Sequence, residues 1–596
     1  MKIAKNIYLL AFLVVEGCAN ILEVELDGGK VQGNVCSNLT STQFLGIPFA
    51  IPPVGNLRWE APLKYNGTFQ GGSLNATKTP ATCYQFAGNS TPALPAPGPY
   101  SEDCLFVNVW VPQNASNTSA TLPVKVWVYG GANLEGSINT PDYSGCQLAE
   151  DGAITVSIAY RLGALGYLAL QSAGISGNFG IQDVLLGLQW VQDNIGKFGG
   201  DKDKVLLFGQ SAGAYDSWII STLPQAPSLM RAAALLSGGG VDFQTNSSAQ
   251  IAGAQFAGLV NCSTTDASCL RKKTPTELID VFLSPEAPSF NGFTIVNPGI
   301  QPFVDGKVIP VQPSEVGTRV PTLFSSMSEE GTLFISLASA NPENTTDSSF
   351  DDFLQSEFGP LTAQINAQYP DSQFRSNPNP GFARASQILT DYAFKCPAYR
   401  GLLKAAEKGI PAWTYIFGHQ PSCSLVPGLT QEILDFLGPT HGYDVPFFFG
   451  FTSGLPLPNG TCNDTPLEKN ISSILVDGFT ALADTGNLST TDFNWPTFTN
   501  TSYQGLYMGP NSTEITSLAS NYSICEFWNQ INAVILQAAD TNATNVTTEI
   551  PTSATITATS IPTSSKPSSG FKAVQALGNL SIIFAVLVGY IIMEVM

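Results

Sequence analysis

Histidine is nearly absent. The 596-residue chain carries two, His419 and His441. Any chemistry that needs an imidazole base has only these two candidates. Cations are scarce as well: 26 Lys and Arg stand against 46 Asp and Glu, for a net charge of −20. Nucleic acid and anionic membrane surfaces are poor partners for such a chain, because both call for clustered positive charge. There is no CxxC cluster, no HExxH and no phosphate-cradling glycine loop, so no metal and no organic cofactor is implied. Internal repeats are also lacking, and no Pro/Gly/Ser-rich linker divides residues 20 to 540. One large domain is the simplest reading of that stretch.

The two ends read differently. Residues 1–19 have a basic start at Lys2 and Lys5, an apolar run from Ile7 to Val15 and the small residues Gly17-Cys18-Ala19. This is the pattern of a secretory signal, and the run is too short to span a bilayer. Cleavage after Ala19 removes Cys18 and leaves ten of the 11 cysteines, an even number suited to disulfides in a secreted chain. Eighteen N-x-S/T sequons between Asn38 and Asn545 suit N-linked glycans. Residues 541–570 form a Ser/Thr/Pro-rich stalk. After the small residues Ser568-Ser569-Gly570, residues 571–596 run through a spacer into an apolar tail. That order is expected of a lipid-anchor (GPI) signal that is removed, with attachment at Ser568 or Ser569. A single membrane-spanning helix is the alternative reading.

Within 20–540, short β-branched runs alternate with helical spacing. PVKVWVY (123–129), ITVSIAY (154–160) and Lys204–Phe208 read as buried strands, and QDVLLGLQWVQDNI (182–195) as a helix. The fold class expected is α/β, a mostly parallel sheet with helices on both faces. In such sheets, sites form at the carboxyl ends of strands. The third run enters Gly209-Gln210-Ser211-Ala212-Gly213 at such an end. Alone, G-x-S-x-G is a weak pattern; between a strand and a helix, it is the context in which a serine is thrust out on a strained bend.

A serine nucleophile needs a base, and the base needs a carboxylate to orient it. His441 lies in the glycine-flanked loop GPTHGYDV, whereas His419 ends a strand-like run, the usual place of a structural histidine. Glu330, after the strand-like VPTLFSS, is a candidate acid; Glu329 and Glu330 equally suit the start of a helix, where carboxylates meet the dipole. Tyr129-Gly130-Gly131-Ala132-Asn133 follows a strand and can present bare N–H groups to a developing oxyanion, with the N–H of Ala212 beside the serine.

These residues resemble the type-B carboxylesterase/lipase family, which includes cholinesterases and several fungal extracellular lipases. FGGDKDKVLLFGQSAG (198–213) resembles its nucleophile signature and SEDCLFVNVW (101–110) its second signature. GIPFAIPPVGNLRW (46–59) and AYRLGALGYL (159–168) are similar to further blocks, and MSEEGTLF and THGYDVPFFFG to its acid and histidine motifs. The resemblance implies the α/β-hydrolase fold and a Ser211-Glu330-His441 triad. It implies an oxyanion hole from Gly131, Ala132 and Ala212, and disulfides Cys83–Cys104, Cys262–Cys269 and Cys396–Cys525. It leaves Cys36, Cys146, Cys423 and Cys462 unassigned. Ser237 is similar to a buried hydroxyl that the family keeps near its acid.

Three departures bear on substrate. The usual third glycine and aromatic residue of the oxyanion turn are Ala132 and Asn133. The loop 84–103 lacks the tryptophan with which cholinesterases hold choline. Neutral Gln210 stands where they carry a glutamate before the nucleophile. The last two argue against a quaternary ammonium substrate. The expectation is a secreted or cell-surface serine esterase that cleaves a small-molecule carboxylic ester through an acyl-enzyme. A lipase or sterol esterase is the near alternative, and a catalytically idle adhesion protein the remote one.

Overall fold

The structure is a computed structural model, and it describes residues 22–85, 98–116, 121–283, 299–338, 342, 345–422, 430–450, 453–457 and 460–542. The expected signal segment, nearly all of the expected stalk, Ser568, the expected anchor tail and Cys423 lie outside the described residues.

Eleven strands make one central sheet: β1 Asn34–Val35, β2 Thr42–Pro48, β3 Phe106–Val111, β4 Leu122–Val128, β5 Ile154–Ile158, β6 Gly200–Gln210, β7 Ala232–Leu236, β8 Thr322–Met327, β9 Ala412–Phe417, β10 Gln504–Met508 and β11 Thr513–Ser517. Their spatial order is β11-β10-β9-β8-β7-β6-β4-β5-β3-β2-β1. From β10 to β5 every pairing is parallel; β3, β2, β1 and β11 add antiparallel margins. The parallel strands are buried along nearly their whole length, as strands covered on both faces must be.

The helices that matter for the site are α1 Gly163–Tyr167, α2 Phe179–Asn194, α3 Ala212–Thr222, α4 Gly331–Ala338, α5 Cys396–Glu407, α6 Pro466–Thr485 and α7 Cys525–Asn542. Strand alternation assigns two of them to opposite faces. On one face Phe208 and Trp127 sit side by side, and Phe208 meets Phe479 of α6 at 5.8 Å between ring centroids. The Lys125 ammonium, fully buried, donates to the Val476 carbonyl of α6 on that same face. On the other face, Ile158 packs so close to α2 that a Cβ on Gly187 would lie 2.5 Å from its side chain. The sheet is therefore sandwiched, and only its strand ends open onto loops.

Four disulfides join described residues: Cys36–Cys146, Cys83–Cys104, Cys262–Cys269 and Cys396–Cys525. The first assigns two of the four cysteines that sequence left open. Among the described residues, no helix is long and apolar enough to cross a membrane.

Candidate active site

Strand β6 ends at Gln210 and α3 begins at Ala212, so Ser211 carries the whole reversal. Its backbone has φ 57° and ψ −129°, a conformation that L residues rarely adopt. The flanking glycines are steric necessities. A Cβ on Gly209 would lie 2.4 Å from the Gly213 carbonyl oxygen, and one on Gly213 only 2.1 Å from that of Val128. G-x-S-x-G here marks a bend too tight for a side chain two residues before or after the serine.

The turn after β4 approaches this elbow closely. A Cβ on Gly130 would meet the Ser211 Cβ at 2.9 Å. Gly131, Ala132 and Asn133 follow with φ of 114°, 55° and 58°. Two of their carbonyls are engaged: Gly131 O accepts from the N–H of Leu134 and Glu135, and Asn133 O from that of Gly163 in α1. The N–H groups of Gly131, Ala132 and Ala212 have no hydrogen-bond partner among the described residues. Ala212 is also the first residue of α3, where N–H groups are unsatisfied and the helix dipole favours negative charge.

Glu330 stands between β8 and α4 and is fully buried. Its Oε1 accepts from the Met327 N–H at 2.7 Å, and its Oε2 lies 2.5 Å from His441 Nδ1. The two sequence readings of Glu330 coincide, since it directly precedes a helix and also faces the imidazole. The histidine loop is stitched to that same segment. Thr440 Oγ1 accepts from Thr332 Oγ1 at 2.7 Å and from the Leu333 N–H at 3.0 Å, and Pro439 O accepts from the Glu329 N–H. Phe334 and Phe394 pack on the ring at 4.9 and 4.8 Å between centroids. The carboxylate and the ring walls thus fix the imidazole's orientation, with Nδ1 turned to Glu330 and Nε2 turned away from it.

Nε2 makes no hydrogen bond to Ser211 in this structure. The side-chain amide of Gln210 reaches it instead, Nε2 to Nε2 at 3.0 Å, while the half-buried Ser211 hydroxyl makes no hydrogen bond among the described residues. The physical reason is competition: an amide N–H one residue before the serine is a ready donor for the imidazole lone pair. The histidine ring is therefore held over the elbow, but by the serine's neighbour.

His419 is elsewhere and otherwise employed. It is buried beyond the end of β9, its Nε2 3.2 Å from Glu468 Oε1. Glu468 caps the start of α6 through Thr465 and accepts from the Ser422 N–H and hydroxyl. Although burial works the other way, those hydrogen bonds hold its carboxyl down at about 2. Ser237, with φ 52°, is fully buried after β7, and its hydroxyl has no hydrogen-bond partner among the described residues.

Sequence reasoning missed several neighbours. Asp444, three residues after His441, is buried and accepts from the Tyr415 hydroxyl at 2.6 Å; burial pushes its carboxyl up to about 7. Phe334 lies four residues after Glu330 on α4, a spacing that could have flagged it. Nothing in the sequence pointed to Phe394, nor to Asp216 on α3, which contacts Asn133.

Comparison with known proteins follows this geometry. The profile of the carboxylesterase family matches residues 20–528. An acetylcholinesterase of Bungarus fasciatus is 32% identical over 564 residues, covering 88% of this chain and 89% of the relative. A cholinesterase of Mus musculus is 30% identical over 84% of this chain and 85% of its own length. An acetylcholinesterase of Electrophorus electricus is 30% identical over 86% and 88%. With a sandwiched, mostly parallel sheet, a serine on a strained strand-to-helix bend and a profile match over most of its length, the chain belongs to the carboxylesterase family, a family of carboxylic ester hydrolases.

Proposed function

We propose that the chain is a cell-exterior serine esterase whose nucleophile is Ser211, with His441 as general base and acid and Glu330 as the group that orients it. The observation carrying this reading is the 2.5 Å contact of His441 Nδ1 with buried Glu330, which turns Nε2 towards the elbow. Gln210 swings off Nε2 when substrate arrives. The Ser211 hydroxyl gives its proton to Nε2 as its oxygen bonds to the ester carbonyl carbon. The carbonyl oxygen becomes an oxyanion held by the N–H groups of Gly131, Ala132 and Ala212. Collapse expels the alcohol, which takes the proton from the imidazolium. Water then repeats the sequence on the acyl-enzyme, releasing the carboxylic acid and Ser211.

The substrates we propose are esters of small, neutral alcohols. Gln210 offers no charge to a cation, and the segment 84–103 carries no tryptophan to face one. The test has two parts. A fluorophosphonate probe is expected to label Ser211 in the folded glycoprotein, located by peptide mass spectrometry; an unlabelled Ser211 refutes the enzyme reading. A panel of neutral and choline esters of graded acyl length is expected to show higher kcat/KM for short neutral esters; faster turnover of long-chain glycerides indicates a lipase.

The proposal extends to the chain's ends. Residues 1–19 direct secretion, 20–540 form the hydrolase domain bearing N-linked glycans, 541–570 form the stalk, and 571–596 are exchanged for a lipid anchor at Ser568. Phosphatidylinositol-specific phospholipase C is then expected to release active enzyme from expressing cells. Retention of the enzyme on the cells after that treatment supports a spanning helix instead.

A further inference from the structure

The oxyanion turn has an energetic problem. Ala132 and Asn133 both occupy the left-handed region, where a non-glycine residue costs roughly 1–2 kcal/mol and asparagine is among the better tolerated. Two strained residues in succession do not hold a turn in place by themselves. Moreover, the N–H groups of Gly131 and Ala132 make no hydrogen bond among the described residues that would fix their direction. Something outside the turn must hold it.

The Asn133 side chain supplies the connection. Asn133 is 3% exposed, and its amide donates through Nδ2 to Asp216 Oδ1 at 3.3 Å. Its own Oδ1 has no partner, so Asp216 is the sole hydrogen-bond partner of that buried amide among the described residues. Asp216 is fully buried on α3, five residues after Ser211. Its second oxygen accepts from the Tyr167 hydroxyl of α1 at 3.1 Å. Asn133 O meanwhile accepts from the Gly163 N–H at the other end of α1. The helix that follows the nucleophile and the turn that carries the free N–H groups are thus tied through one carboxyl.

The surroundings of Asp216 suit a structural acceptor rather than an ion-pair partner. Besides Tyr167, the buried phenols of Tyr129 and Tyr160 feel its charge. Asp216 forms no ion pair among the described residues, and burial pushes its carboxyl up to about 7. A buried carboxyl without a cation is expensive. Neither the Ser211 elbow nor the sheet needs it, since both are held by backbone hydrogen bonds. The one strained element it touches is the turn.

We propose that Asp216 is the positioning residue of the oxyanion turn, fixing Asn133 and through it the N–H groups of Gly131 and Ala132 in register with Ser211. The inference rests on the esterase reading above, because it concerns where the ester oxygen is held. It deepens that reading by explaining how Ala132 and Asn133 serve in a turn without a third glycine: the strain is countered by a side-chain tether.

Misplacing the oxyanion donors weakens binding of the transition state more than that of the substrate, so the loss falls on kcat. Asp216→Ala is expected to lower kcat for a short aryl acetate roughly 10- to 100-fold, with KM changed by less than about three-fold. Asp216→Asn keeps an acceptor for Asn133 and offers its own N–H to the Tyr167 oxygen, and is expected to retain kcat within about three-fold. Asn133→Gly deletes the tether while easing the backbone, and is expected to mimic Asp216→Ala. The Asp216→Ala/Asn133→Gly double variant is expected to be no slower than the slower single variant, because both cut the same link.

Active-site titration of Ser211 with the fluorophosphonate normalises each rate to folded enzyme. Multiplying effects in the double variant overturn the proposal, as does an Asp216→Asn variant as slow as Asp216→Ala. Wild-type kcat in Asp216→Ala overturns it too. Should Asp216→Ala not fold, Asp216→Asn and Asn133→Gly still decide: equal impairment of both overturns the proposal, and impairment of Asn133→Gly alone supports it. Ser211→Ala run beside them separates the two failures. If it stays active the esterase reading falls, whereas a dead Ser211→Ala beside an unimpaired Asp216→Ala sinks only the tether.

Discussion

Ser211→Ala is expected to lower kcat for a short aryl ester by roughly 10^4- to 10^6-fold, with KM little changed. The size follows from what is lost. Alanine removes the only atom that forms the covalent intermediate, so the acyl-enzyme route closes and any residue of rate comes from water attacking an ester polarised by the remaining N–H donors. The fold should be indifferent to the change. Ser211 Oγ makes no hydrogen bond among the described residues, and alanine sits at the same left-handed φ of 57°. Thermal unfolding followed by circular dichroism is therefore expected to be shifted by little more than 1–2 °C, on the scale of about 0.5 kcal/mol. Activity within ten-fold of wild type would show that another nucleophile is at work.

The second large effect separates the two histidines. His441→Ala is expected to lose roughly 10^4-fold or more in kcat, and His419→Ala to stay within about three-fold. The contact between Gln210 and His441 makes this a demanding test, because the imidazole must exchange one partner for another before it can act. The exchange replaces one hydrogen bond of about 1 kcal/mol with another, which is small beside the 5 to 8 kcal/mol that a base is asked to supply. His419 lacks such freedom. It is buried against Glu468, whose other hydrogen bonds cap α6, so its loss is expected in stability, by about 1–3 kcal/mol. The measurement is kcat/KM beside the urea midpoint for both variants. A crippled His419→Ala with normal stability, beside an active His441→Ala, would reverse the assignment.

Local pattern revealed the strands and helix around the elbow because each carries its own periodicity. The run 123–129 appears as β4 Leu122–Val128, 154–160 as β5 Ile154–Ile158, and the helix 182–195 as α2 Phe179–Asn194. Strand β6 begins earlier than its apolar core, at Gly200, which pairs with Leu122 before the register shifts and pairing resumes at Val205 against Val124. A hydropathy pattern cannot register that, because the segment between the two pairings is polar and largely exposed. The order of strands was equally hidden: β6 lies beside β4, not beside its predecessor β5. Distance along the chain explains what was missed at the site. Gln210 meets His441 across 231 residues, Asn133 meets Asp216 across 83, and Cys36 meets Cys146 across 110. None of these pairs leaves a trace in spacing. Glu330 and His441 could be singled out as candidates because composition narrowed the choice to two imidazoles and strand-end placement favoured one carboxylate.

The bond between Cys396 and Cys525 has a mechanical meaning. It joins the first residue of α7 to the first residue of α5, so any tension applied beyond Asn542 pulls on a helix whose far end is bolted down. Pulling could unwind α7 turn by turn from its carboxyl end, yet the load would pass at Cys525 through sulfur into α5 and stop there. The sheet and its loaded serine would be spared, and the body of the protein could hang from a tether without being unthreaded by it.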